Sequence, residues 1–274
     1  PMPPMTRLPS PSRSTFETFV DEYRDVFAYG DATADDFRPL NLSDADRPPP
    51  DRVVDLLDRL EGLSDRFRDL LEESAGELRP ILFEGPGFFD GHAALLDGTA
   101  WVFFDMALVD GHLARGDFRS DVHLAHEATH ALHYEAAPAI YPGRDKPPAE
   151  RIWHRLVAEG LALRLAERVA GVDPDLSSWF GLIDPADFQL WRAAAEEKRA
   201  ELGRAILTCR DNPRFSSDLW TELFRDPSPT SGGRCGYWYG RQIVRRAEAR
   251  ASLGELLRRQ PAAWLDDVRI YLTP

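Results

Sequence analysis

His126-Glu127-Ala128-Thr129-His130 is the stretch from which the rest of this chain is read. It sits in a run, Asp121 to Glu135, whose residues favour a helix. On a helix, residues i and i+4 share one face, about 6 Å apart along the axis. Two imidazoles placed this way can reach a single metal ion, and the Glu beside the first can hold a water on it. The expectation is a Zn2+ site with His126 and His130 as ligands and Glu127 as general base.

A catalytic zinc takes three protein ligands and keeps one position open. His123 and His133 fall near the same stripe of the helix. His133 is seven residues from His126, nearly two turns of rise, and an ion with bonds near 2 Å spans that poorly. Both are therefore assigned to packing or to supporting the ligands. The metzincin pattern is excluded, because position 133 is His where that pattern has Gly. Glu159 is the better third ligand. It lies within Leu156-Val157-Ala158-Glu159-Gly160-Leu161-Ala162, where a carboxylate in an apolar stripe is anomalous for plain packing. Buried charges pair or bind metal, and the glycine beside it permits a close approach of another helix.

Around these residues the apolar periodicity gives a mainly helical α+β chain. Helices are expected over 14–29, 51–74, 149–170, 185–208, 216–224, 237–250, 253–259 and 262–272. Residues 1–13, rich in Pro, Ser and Arg, read as a disordered tail, and 30–50 as a connector. Leu78–Phe83 reads as a strand. Residues 93–96 and 99–106 read as a hairpin across Asp97-Gly98. The strand at 99–106 precedes the motif helix, and it is read either as an edge bordering a cleft, where extended peptides could pair, or as an interior strand. The domain reading is a tail at 1–13, an N-terminal helical segment at 14–74, and a metallopeptidase domain at 75–274.

Three blocks carry a resemblance to a known family: His126 to His130, Ala158 to Ala162, and Gly236-Tyr237-Trp238-Tyr239-Gly240-Arg241-Gln242-Ile243-Val244. In order and spacing they resemble the gluzincin metallopeptidases, and more narrowly the YjaZ-type predicted Zn-dependent protease family, over roughly residues 75–272. The resemblance implies a zincin-like fold, with a small twisted sheet beside the motif helix and a helical C-terminal half. It also implies peptide hydrolysis by a metal-activated water. The third block matches the family's Gly-Tyr-x-x-Gly-x-x-Ile-Val segment, so Tyr237 is the expected oxyanion donor, with Tyr239 as the alternative. On a helix these two diverge by about 200°, so only one can face the metal.

The formal net charge of −13 argues against nucleic acid or an anionic membrane as partner. No run of eighteen apolar residues is present, and the first residues lack the apolar core of a signal peptide. The two cysteines, Cys209 and Cys235, are too few for a disulfide framework, and Cys235 is read as a packing residue. A cytoplasmic enzyme acting on peptide or protein substrates is expected. Two other functions fit the same residues. An Fe(II)-dependent oxygenase can use two His and one carboxylate, and a non-catalytic zincin-like binding protein would close the metal's open position with a fourth protein ligand.

Overall fold

A computed structural model describes residues 8–27, 36–43, 45, 48–72, 75–87, 91–114, 119–142, 146–173, 177–208, 213–225 and 232–273. The elements run α1 (Arg13–Phe27), β1 (Arg38–Pro39), α2 (Asp51–Leu71), β2 (Pro80–Glu84), β3 (His92–Leu96), β4 (Thr99–Asp105), α3 (Met106–Leu113) and α4 (Ser120–Ala136). After a single 3-10 turn, Pro138–Ile140, follow α5 (Pro148–Ala170), α6 (Pro185–Thr208), α7 (Pro213–Phe224), α8 (Cys235–Glu248), α9 (Leu253–Leu257) and α10 (Pro261–Leu272). Residues 1–7 of the expected tail, Cys209, and most of the 226–234 loop lie outside the described residues. Leu8 is buried and joins the main core.

The four strands form one mixed sheet in the order β1-β2-β4-β3. β2 and β4 are parallel, while β1 and β3 pair antiparallel with β2 and β4 respectively. Asp97 and Gly98 turn the β3–β4 hairpin with φ of 49° and 76°, the left-handed pair that an Asp-Gly turn supplies with least strain. Flanked by β2 and β3, the strand at 99–105 is interior, so of the two readings left open for it the interior one holds. β3 is the edge, because the chain passes from β2 out to β3 and returns β4 into the gap. Met106 is not a strand end but the first residue of α3. The Asp105 carboxylate starts that helix by accepting from Ala107 N, and it also accepts from Gly85 N and Gly87 N.

Period-two alternation divides the sheet between two layers. Ile81, Phe83, Trp101 and Phe103 point to α1 and pack with Phe16 and Phe19. Leu82, Val102 and Phe104 point the other way, into the core that all the larger helices share. α4 lies in that second layer, against β3 and β4 on one side and α5 on the other. Its residues from Val122 to Leu132 are buried on almost every face, Glu127 excepted. The sequence around the motif is apolar for that reason: α4 is a central helix.

α5 is in turn clasped by α8. A Cβ on Gly160 would overlap the backbone of Gly240, and one on Gly240 would overlap the carbonyl of Leu156. Further along α5, the buried Glu167 carboxylate accepts from Arg164, Arg241 and Ser177, and Arg164 also reaches Glu248. This network locks α5 and α8 in register. No helix among the described residues is long and apolar enough to cross a membrane.

Candidate metal centre

α4 projects His126 and His130 from one face, and α5 projects Glu159 at them from the facing helix. The three side chains are buried, and their ligand atoms all lie within 4.8 Å of one another. His126 Nε2 is 3.0 Å from Glu159 Oε2, His130 Nε2 is 3.5 Å from the same oxygen, and the two Nε2 atoms are 3.2 Å apart. Bonds of about 2.0–2.1 Å at tetrahedral angles separate their ligand atoms by about 3.3–3.4 Å. The triangle is thus the size an ion of that bond length requires, and a donor set of two imidazoles and a carboxylate suits a divalent metal. Among the described residues neither His123 nor His133 joins this group.

Glu127 stands beside the triangle. One of its carboxylate oxygens is 4.0 Å from both His126 Nε2 and His123 Nε2. Gly91, at the start of the edge strand β3, packs onto the Glu127 side chain so closely that a Cβ there would crowd Glu127 Cγ. The sheet edge and the expected base therefore border the same space.

Tyr141 supports the ligands from behind. Its hydroxyl lies 3.0 Å from His130 Nδ1 and 3.2 Å from His133 Nδ1. One consistent arrangement has His130 Nδ1–H donating to the phenol and the phenol donating to His133 Nδ1, which leaves His130 Nε2 free to bind a metal. Burial, reinforced by the neighbouring His130, pushes His133 down to about 3, so it stays neutral and able to accept. His133 is thus a supporting group, one hydroxyl removed from the ligands. His123 is buried between the rings of Phe104 and Phe180.

Three participants have no signal in the spacing of the motif. Arg155, one turn before Glu159 on α5, pairs with Glu159 Oε1. Burial alone would raise the Glu159 carboxyl. The Arg155 charge, then His130, and hydrogen bonds with both imidazoles outweigh it and hold the group well below the usual carboxylate range. An i, i+4 Arg–Glu pair inside an apolar helix was the available clue. Tyr141 sits in the Pro-rich segment after the motif helix, where nothing local marks it. Phe180 holds a left-handed φ of 53°, and its ring meets the edges of His123 and His126 at 5.4 and 5.3 Å.

The two tyrosines of α8 separate cleanly. The Tyr237 ring lies 6.3 Å from the His126 ring, under the Arg234 guanidinium at 4.5 Å. Burial, with Glu159 next, raises its phenol. Tyr239 is fully buried on the far side, where its hydroxyl donates to the Ala195 carbonyl of α6. Cys235 is buried, and burial pushes its thiol up to about 12, which fits packing rather than reactivity. No family model, curated protein or solved structure matches the chain.

Proposed function

We propose that this chain is a zinc-dependent peptidase of the gluzincin kind, with a zincin-like fold and membership of the YjaZ-type family as part of the same reading. The observation that carries it is the buried His126, His130, Glu159 triangle with the Glu127 carboxylate beside it. Among the described residues the group has three ligands rather than four, which favours a catalytic ion over a closed structural one. The antiparallel edge β3 next to Glu127 supports a peptide substrate, since extended chains pair with such edges. A cytoplasmic setting rests on the low cysteine content.

Zinc bound to this triangle would acidify a water and polarise the scissile carbonyl. The protein's own groups do the rest. Glu127 takes the proton as the water attacks and passes it to the leaving amine. Tyr237, the tyrosine on the metal side of α8, donates its O–H to the carbonyl oxygen as negative charge gathers there. Arg155 keeps Glu159 ionised, and Tyr141 fixes the His130 ring. Phe180 and Gly91 close the space around His126 and Glu127.

A peptide-library digest with zinc-loaded wild type and Glu127→Gln tests the reading. Cleavage by the first and none by the second is expected. Protein purified without added metal that carries stoichiometric iron and turns over only with oxygen would replace the peptidase with an oxygenase.

A further inference from the structure

We infer that Arg151 and Arg155 form a carboxylate-binding subsite beside the metal triangle, so that the preferred substrates carry a carboxylate next to the scissile bond. The inference rests on the peptidase reading of the site and specifies its substrate.

The two arginines are one turn apart on α5 and line a cavity of about 170 Å³ together with Tyr134, Ile140, Tyr141 and Trp220. That volume equals about five or six waters, enough for a carboxylate and the two or three carbons that carry it. Like charges at i, i+4 repel; Glu159 offsets the Arg155 charge, so an anion seated between the two guanidiniums chiefly neutralises Arg151. Arg155 is paired with Glu159 Oε1, and among the described residues Arg151 has no carboxylate partner. The Nε atoms of both are buried without a hydrogen-bond partner. A buried, unsatisfied donor is costly, and a guanidinium offers carboxylates a planar two-pronged fit.

The cavity adjoins the site through two shared side chains. Tyr141 is both its wall and the partner of His130, and Arg155 is both its wall and the partner of Glu159. A carboxylate seated there lies one side chain away from His130 and from Glu159. The aromatic rings of Tyr134 and Tyr141, stacked at 3.6 Å, give the short apolar stem a flat surface. Either a free C-terminus or an Asp or Glu side chain supplies this chemistry, and the two differ in what amidation of the peptide does.

The test uses zinc-loaded Glu127→Gln, which binds without turnover, titrated with three short peptides followed by calorimetry. One is neutral with a free C-terminus, one is the same peptide amidated, and one is amidated with a Glu at its last position. At least one acid should bind on the order of tenfold more tightly than the neutral amide. Preference for the free acid alone assigns the C-terminus, and preference for the Glu amide assigns the side chain. Adding Arg151→Met should abolish the preference with metal content unchanged, and Arg151→Lys should restore part of it. Equal binding of all three peptides, or a preference that survives Arg151→Met, overturns the inference. A preference without any cleavage by wild type would retain the subsite and reject the peptidase. Cleavage of neutral amides without preference would do the reverse.

Discussion

Gly160 and Gly240 meet backbone to backbone, with no room for a Cβ on either. Glu159 and Tyr237 flank this crossing on their two helices, so the spacing of α5 and α8 sets the position of a metal ligand and of the proposed oxyanion donor together. Replacing Gly160 with Ala gains about 1 kcal/mol of helix propensity. The overlap with main-chain atoms, which cannot rotate away, costs about 1–3 kcal/mol. The second effect should win. Gly160→Ala is expected to lower thermal stability and weaken metal binding together, as read by melting with and without zinc. A variant more stable than wild type would show that the crossing has slack.

Tyr141→Phe removes the hydroxyl shared by His130 and His133. Groups that orient a metal-bound His typically change affinity 10–100-fold when lost. Zinc affinity measured by chelator competition should fall by about that factor, with the folded structure retained. Unchanged affinity would make the Tyr141 contact incidental.

Tyr237→Phe and Tyr239→Phe should separate function from packing. The first is expected to lower kcat about 10²–10³-fold at unchanged KM and metal content. The second should lose about 1 kcal/mol of stability through the Ala195 bond and leave kcat alone. Reversed results in steady-state kinetics and urea unfolding would exchange the two roles.

His133 gives a pH dependence with a definite sign. Its folded value is about 3, against about 6.5 when unfolded. The unfolded chain therefore binds the extra proton between those values, and the metal-free protein loses stability as pH falls from about 6.5 towards 3. One such group contributes at most about 1.4 kcal/mol per pH unit. His133→Asn keeps an acceptor for the Tyr141 hydroxyl and removes the titration. Urea midpoints at pH 7 and pH 5 should differ less for His133→Asn than for wild type, although other buried histidines such as His126 shift in the same direction.

The helices other than α3 were legible because their apolar positions repeat at helical spacing, and the β3–β4 hairpin because Asp97-Gly98 names its own turn; α3, which begins where the strand at 99–106 was expected to end, was not read from the sequence. Glu159 was legible because a lone carboxylate in Leu156 to Ala162 has no place in an apolar core without a partner. The order of the strands was not legible. Nothing in residues 92–105 says that the second strand of the hairpin inserts beside β2 and leaves the first at the edge. Tyr141 and Phe180 were hidden for a related reason. Each reaches the histidines through the packing of a connecting segment, and a segment without periodicity carries no record of what it packs against. Arg155 lay in plain view at i−4 from Glu159, but a surface ion pair has the same spacing, and only its burial against the site distinguishes it.

The central claim is that His126, His130 and Glu159 together hold one metal ion while Glu127 does not. Metal content after purification and zinc titration, compared among wild type, Glu127→Gln and Glu159→Ala, tests it most directly. The account predicts one zinc per chain in wild type and in Glu127→Gln, and at least a hundredfold weaker binding in Glu159→Ala at unchanged fold. Full zinc affinity in Glu159→Ala, or its loss in Glu127→Gln, would contradict it.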